Sequence, residues 1–338
     1  MASIFRFSVF VSIVGLTIFG LRHCSGQSTI ELPSARLDGS ESVAEKTVPE
    51  TGVLTQATVQ ETDTLPKTRK KNESEQFMRI RKNAAGKPVA LETSTTRYEL
   101  INEAGERITV DLIGVVHIGE KVYYQDLNQC FERYEGLLFE LVAPEGTVIP
   151  KGGRGEAGAG LNPVAALQVG MQSVLGLEFQ LDHIDYTKGN FVHADMSPEE
   201  FVESMKQNEE SVSGYALKAI GQSLAMQSAG KSDSSFGMLM AMFSKDKEIK
   251  MRRAFARQMQ EMEAGLVMFE GNDGSTIIDH RNAKCMEVLQ REINSGKKNL
   301  AIFYGAGHLP DMQRRLLSEF KMKRVGQSWL TAWSLESK

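Results

Sequence analysis

The chain has 338 residues, 41% hydrophobic and 24% charged, enough for one large core or two modest ones. Its 39 Lys and Arg against 43 Asp and Glu leave a net charge of −4. That balance excludes a dedicated nucleic-acid binder, whose affinity rests on neutralising phosphates. The three Cys exclude a disulfide-stapled scaffold and any Cys-rich zinc module.

Phe7 to Leu21 is an uncharged, apolar-rich run of 15 residues, with Ser8, Ser12 and Thr17 as its only hydroxyls. Arg6 precedes it and Arg22-His23 follows. A spanning helix needs about 20 apolar residues, so the run is short for that and has the size of a signal-peptide core. Small residues follow at Cys24, Ser25 and Gly26. Residues 1–26 therefore read as a signal peptide or as an uncleaved signal anchor. Either reading places the protein outside the cytoplasm, periplasmic or secreted, with membrane association through this segment in the second case. Cleavage after Gly26 would leave Cys130 and Cys285, and spacing leaves open whether they pair or stay buried.

Residues 27–87 read as a disordered polar linker. They are rich in Ser, Thr, Glu, Pro and Lys and show neither period 2 nor period 3.6. The first part is acidic (Glu31, Asp38, Glu41, Glu45, Glu50) and the second basic (Lys67, Arg69, Lys70, Lys71, Arg79, Arg81, Lys82). A solvated linker accounts for this pattern better than a site for an anionic surface.

The folded domain is expected over 88–338. Arg97–Asn102 and Arg107–Val116 read as strands, and Gly105 between them suits a hairpin turn. Glu120–Tyr134 reads as a helix and Leu137–Val142 as a buried strand carrying one charge, Glu140. Five glycines over 152–160 make a loop that lacks the closing Lys-Ser or Lys-Thr of a phosphate loop. Pro163 to about Asp185 reads as helical, and Asn190–Asp195 as a short strand ending in a turn. Ser197-Pro198-Glu199-Glu200 has the cap, the proline and the acids of a helix start. Phe201 to Glu270 is Met-rich and mostly helical, a helical insertion whose methionines read as core packing. Thr276–Ser295 reads as a helix that Gly296 ends. Leu300–Tyr304 reads as a strand, Pro310–Phe320 as a helix, and Val325–Leu335 as one or two strands. The fold class expected is mixed α/β, a central sheet flanked by helices.

One short pattern occurs twice. Gly114-Val115-Val116-His117 and Gly305-Ala306-Gly307-His308 each follow a buried apolar strand and precede a helix. A strand end is a rigid platform, glycine lets backbone or ligand come close, and α/β proteins bind ligands at that edge. Two matched contexts point to a shared site for His117 and His308. Glu140 adds to them, because a carboxylate in an apolar strand is costly to bury without a partner. A metal, a substrate or Arg281 would supply that partner, and Asn282 beside Arg281 could orient either group. His193 and Asp195 are secondary candidates at the end of a third strand, where a turn or cap role for Asp195 competes. His280 reads as surface or packing, and His183 has no evident partner.

This order of residues resembles the TraB/GumN family, the superfamily of the Wnt-cleaving Tiki proteins and the pheromone-shutdown protein TraB. The marks are Gly114 and His117 ending a strand, Glu140 on the next, Arg281 on a late helix, then Gly305 and His308. The resemblance covers about residues 95–335, without a family pattern over 205–270. It implies a mixed α/β fold and a hydrolase, a metal-dependent peptidase using a divalent ion of the manganese or cobalt class, or zinc. On that resemblance His117 and His308 are ligands, Glu140 is a ligand or general base, and Arg281 stabilises an oxyanion. The partner implied is a peptide or protein substrate. Two imidazoles and a carboxylate suit such an ion in kind. A non-catalytic binder of peptide or cofactor, and a metal-free esterase-like hydrolase, are the alternatives. No sequence-local ligand pair such as His-Glu-x-x-His exists, so distant segments must assemble the site.

Overall fold

The computed structural model describes residues 76–152, 174–208, 246–266 and 276–337. The N-terminal apolar run, the Gly-rich stretch past Gly152, the first part of the expected 163–185 helix and most of the Met-rich region lie outside them. Among the described residues no helix is long and apolar enough to cross a membrane.

The described elements are, in order, β1 (Met78–Lys82), β2 (Pro88–Ile101), β3 (Arg107–Val115), β4 (Ile118–Gly119), α1 (Lys121–Phe131) and β5 (Gly136–Phe139). Then come β6 (Glu178–Phe179), α2 (Gln180–His183), β7 (Phe191–His193), α3 (Pro198–Gln207) and α4 (Lys247–Leu266). A π-helical turn (Thr276–His280) leads into α5 (Arg281–Asn294), β8 (Asn299–Gly305), a 3₁₀ turn (Ala306–His308), α6 (Leu309–Ser318) and β9 (Lys323–Ser334). The fold is mixed α/β, as expected from the sequence. A seven-stranded sheet runs β1-β2-β3-β8-β5-β7, with β9 also pairing β2. The β1, β2, β3 and β9 pairings are antiparallel, whereas β3–β8, β8–β5 and β5–β7 are parallel.

The sheet is buried on both faces, which is why its central strands are apolar without interruption. Leu300, Ile302 and Tyr304 of β8 face one core with Leu138, Cys285, Met286, Leu289, Leu309, Met312 and Leu316. Ala301 and Phe303 face the other with Leu137, Phe139, Tyr123, Tyr124, Leu127, Phe131 and Trp333. Helix α1 thus covers one face, and α5 with α6 the other. The β2–β3 turn has Gly105 at φ +77°, a backbone region that favours glycine. The expected helix start at Ser197 is a full capping box: Ser197 Oγ accepts from Glu200 N at 3.1 Å and Glu200 Oε2 accepts from Ser197 N at 2.7 Å. Gly296, at φ +97°, follows α5 as expected.

The structure corrects several boundaries. The domain does not begin at residue 88: β1 pairs with β2, and Phe77 and Met78 are buried. The basic run hides this strand, because Arg79 and Arg81 are held by the buried carboxylate of Glu92 at 2.8 and 2.6 Å rather than by water alone. The expected helix to Asp185 breaks at Gly176, whose φ is +60° and whose Cβ position lies 2.6 Å from Glu248 Oε1. A β4–β6 pair and the short α2 follow instead. Residues 323–334 form one strand, whose pairing with β2 has two irregularities. The strand of Glu140 ends at Phe139, which leaves Glu140 as the first residue beyond it. Cys130 and Cys285 are both free thiols, not a pair.

Candidate functional site

Parallel pairing brings four strand ends to one edge. Val115 of β3 lies opposite Gly305 of β8, Phe139 of β5 opposite Phe303, and Phe139 opposite His193 of β7. One or two residues past these ends stand His117, Glu140 and Asp195. Arg281, the first residue of α5, reaches the same edge from the face that α5 covers.

Glu140 lies at the centre. Its Oε1 accepts from Arg281 Nη2 at 2.8 Å, and its Oε2 accepts from the Gly305 amide at 2.7 Å. Arg281 also forks onto Asp195, Nε to Oδ1 at 2.9 Å and Nη2 to Oδ2 at 2.5 Å. All three side chains are nearly inaccessible, at 7% for Glu140, 3% for Arg281 and 0% for Asp195. Burial pushes the Glu140 carboxyl up, but Arg281, His308, His117 and the Gly305 amide together outweigh it and hold Glu140 below the usual carboxylate range. Burial pulls Arg281 down, and Asp195 and Glu140 outweigh that in turn. One cation thus faces two anions.

The two histidines close on the same point. His308 Nε2 lies 3.5 Å from Glu140 Oε1. A Cβ on Gly305 would sit 3.2 Å from Glu140 Oε2, 3.7 Å from His117 Nε2 and 3.8 Å from His308 Cδ2. The missing side chain of Gly305 is therefore the space in which the three groups meet. The far nitrogen of each ring is held by an amide: His117 Nδ1 by Gln180 Oε1 at 3.0 Å, and His308 Nδ1 by Asn282 Oδ1 at 2.8 Å. Burial lowers His308 to about 4 against the opposing pull of Glu140, so its ring is neutral near pH 7.

Of the sequence candidates, His117, Glu140, His308, Arg281 and Asp195 come together. Asp195 is more than a turn residue, since it is the bidentate partner of Arg281. His193 does not join them: its Nε2 donates to the Leu141 carbonyl at 2.6 Å and ties β7 to the segment after β5. Asn282 orients His308 rather than Arg281. His280 packs through Ser204 and Asn208. His183 does have partners, stacking on Tyr124 and lying 3.4 Å from Glu178. Arg281 donates from Nε and Nη2 to carboxylates, which makes it the counter-ion of Glu140 and Asp195. Sequence reading missed Gln180, Tyr186 and Asp311, which stand behind the histidines. They lie in helix or turn contexts without a motif, so only the folded arrangement selects them.

Two imidazole Nε2 atoms and a carboxylate match a first-row divalent ion as a donor set. Their spacing stops short of a closed cage: among the described residues no group of three His, Cys, Asp or Glu side chains is arranged to hold a metal ion. Both oxygens of Glu140 are already engaged, by Arg281 and by Gly305.

Comparison with protein-family models, with curated proteins and with solved structures finds no match.

Proposed function

We propose that this chain is a hydrolase acting on a peptide or protein, with His117, Glu140 and His308 as its reacting centre. The observation that carries the reading is the convergence of two imidazoles and one ionised, nearly buried carboxylate around the open face of Gly305. Packing does not call for this group. Asp195 alone would neutralise Arg281 through its two bonds, so Glu140 is a second buried anion that costs desolvation without adding to the balance. Glu140, Asp195 and Arg281 together carry a net charge of −1. A site with that excess negative charge favours a cation.

The resemblance to the TraB/GumN family supports the same residues in the same roles. A divalent ion of the manganese or cobalt class, or zinc, would be held by His117 and His308 with Glu140, and when bound would acidify a water toward a pKa of about 7. The chain's own contribution is to keep Glu140 ionised through Arg281 and the Gly305 amide, so that its charge is available to a bound cation. The apolar run at residues 7–21 supports placement outside the cytoplasm, secreted or anchored.

A second reading, a non-catalytic binder or a metal-free hydrolase, is favoured by the closed Arg281–Glu140 pair. Metal content of the purified protein, with peptide cleavage before and after chelator, separates the readings. The first expects bound divalent ion and chelator-sensitive cleavage. A protein that binds no such ion and cleaves regardless of chelator is the metal-free enzyme, and one that cleaves nothing under any loading is a binder.

A further inference from the structure

Each histidine at the Gly305 edge is backed by a polar chain that runs away from the site. His308 Nδ1 meets Asn282 Oδ1 at 2.8 Å, and the Asn282 amide nitrogen donates to Asp311 Oδ2 at 2.9 Å and to the His308 carbonyl at 3.2 Å. Asp311, 1% exposed at its side chain, also accepts from Arg314 and from Arg315 Nε at 2.7 Å. His117 Nδ1 meets Gln180 Oε1 at 3.0 Å, and the Gln180 amide nitrogen donates to the Tyr186 hydroxyl at 2.9 Å. Asn282 is fully buried and Gln180 nearly so.

We propose that Asn282 with Asp311, and Gln180 with Tyr186, are positioning residues that fix both histidines as the Nδ1–H tautomer and leave each Nε2 lone pair turned onto the Glu140 edge. This rests on the reading of that edge as the reacting centre. The argument is strongest at Asn282. Its amide nitrogen faces a carboxylate and a carbonyl, which only accept, so that end must be the NH2. The oxygen end then faces His308, and the ring nitrogen opposite an acceptor must carry the proton. A neutral imidazole has one such proton, so Nε2 is a bare acceptor 3.5 Å from Glu140 Oε1. Two acceptors at that distance repel unless a proton or cation lies between them. The chain behind Asn282 holds the ring against that repulsion, with the guanidinium groups of Arg314 and Arg315 pinning Asp311. Gln180 stands in the same order behind His117, with a phenol in place of the carboxylate, a partner that both donates and accepts and so constrains the amide less than Asp311 does. Such orienting partners are worth about 10- to 100-fold in ligand affinity or activity.

The test is the nitrogen-15 spectrum of the imidazoles in the full chain at neutral pH, for wild type and for Asn282→Asp, Asn282→Leu, Gln180→Glu and Gln180→Leu. In Gln180→Glu the carboxylate accepts from His117 and from the Tyr186 hydroxyl, and in Asn282→Asp the carboxyl holds a proton toward Asp311 while its other oxygen accepts from His308, so both keep the Nδ1–H form. The leucine variants offer no acceptor, and the adjacent histidine shifts toward Nε2–H with about 10-fold or greater loss of any hydrolysis. A variant that merely loosened the fold would not separate acid from leucine in this way. Should Asn282→Leu fail to fold, Asp311→Asn decides, because an amide there can donate and lets Asn282 turn over. Wild-type rings protonated at Nε2, or spectra unchanged in the leucine variants, overturn the proposal. Nδ1–H tautomers in a protein that hydrolyses nothing leave the relay standing and remove the hydrolase.

Discussion

Arg281 is bonded to two buried carboxylates, and the residues around it differ in what each can lose. Glu140→Gln keeps the shape and leaves Arg281 its fork to Asp195, so the fold should survive. Activity should fall by about 10²-fold or more, the scale expected when a general base is removed. Peptide cleavage and a melting curve on the same sample check both halves. Arg281→Ala is the opposite case, because it strands Glu140 and Asp195 without a cation. Breaking a buried pair from one side costs about 3–5 kcal/mol, which urea unfolding would read directly. A loss under about 1 kcal/mol would mean the carboxylates reach solvent or another donor. His308 adds a pH dependence. Its folded value, about 4, lies below the ordinary 6.5 because burial disfavours the charged ring. Between those values the unfolded chain binds more protons, so stability rises with pH. The contribution is whole above 6.5 and lost as pH falls through 4, about 3 kcal/mol in all. Unfolding at pH 7 and pH 4.5 should show a flatter slope in His308→Gln than in wild type.

At the scale of strands and turns, the two Gly-x-x-His segments differ in use. A Cβ on Gly114 would meet Leu309 Cδ2 at 3.2 Å, Ala306 Cβ at 3.5 Å and the Phe77 carbonyl at 3.5 Å, so this glycine lets β3 pack against the start of α6. A Cβ on Gly305 would instead enter the space shared by Glu140, His117 and His308. Gly305→Ala is therefore expected to fold with little loss while pushing Glu140 Oε2 aside by a few tenths of an ångström, and turnover should fall because the carboxylate no longer sits in its reacting geometry. Gly114→Val should act through stability, because its neighbours are core side chains and backbone. A Gly305→Ala protein with wild-type turnover would show that the reacting atoms meet elsewhere. The repeated pattern was legible because each copy follows an apolar strand, and parallel pairing then carries both to one edge. Glu140 was legible as a charge in an apolar run. Asn282 was legible as an orienting group but not its partner His308, and Gln180 was not legible at all, since the two act across 26 and 63 residues of sequence. For Asp195 the site and turn readings stayed level in the sequence, because its bond to Arg281 spans 86 residues.

On the scale of the whole molecule, the N-terminal edge of the sheet is where composition misleads. Arg79, Arg81 and Lys82 look like the end of a basic linker, yet Met78 to Lys82 pair with β2. Phe77 is fully buried, its carbonyl accepts from Ser94 N at 2.9 Å, and the Gln76 carbonyl accepts from Gln327 Nε2 of β9 at 2.8 Å. Arg79 further lies over the Trp329 ring, 4.1 Å from its centroid. Five residues with two arginines carry too short an alternation to register as a strand, so the boundary had to come from the partners. A chain beginning at residue 76 should melt cooperatively, with all of these contacts present. One beginning at residue 88 removes Phe77 and the β1 ladder and exposes the flank of β2 and the Glu92 carboxylate. Losing a buried phenylalanine side chain alone costs about 3–5 kcal/mol. Thermal melts of the full chain and the two truncations measure this. Equal midpoints for the chains starting at 76 and 88 would return β1 to the linker. Loss of the transition in the chain starting at 76 would show that earlier residues also belong to the fold.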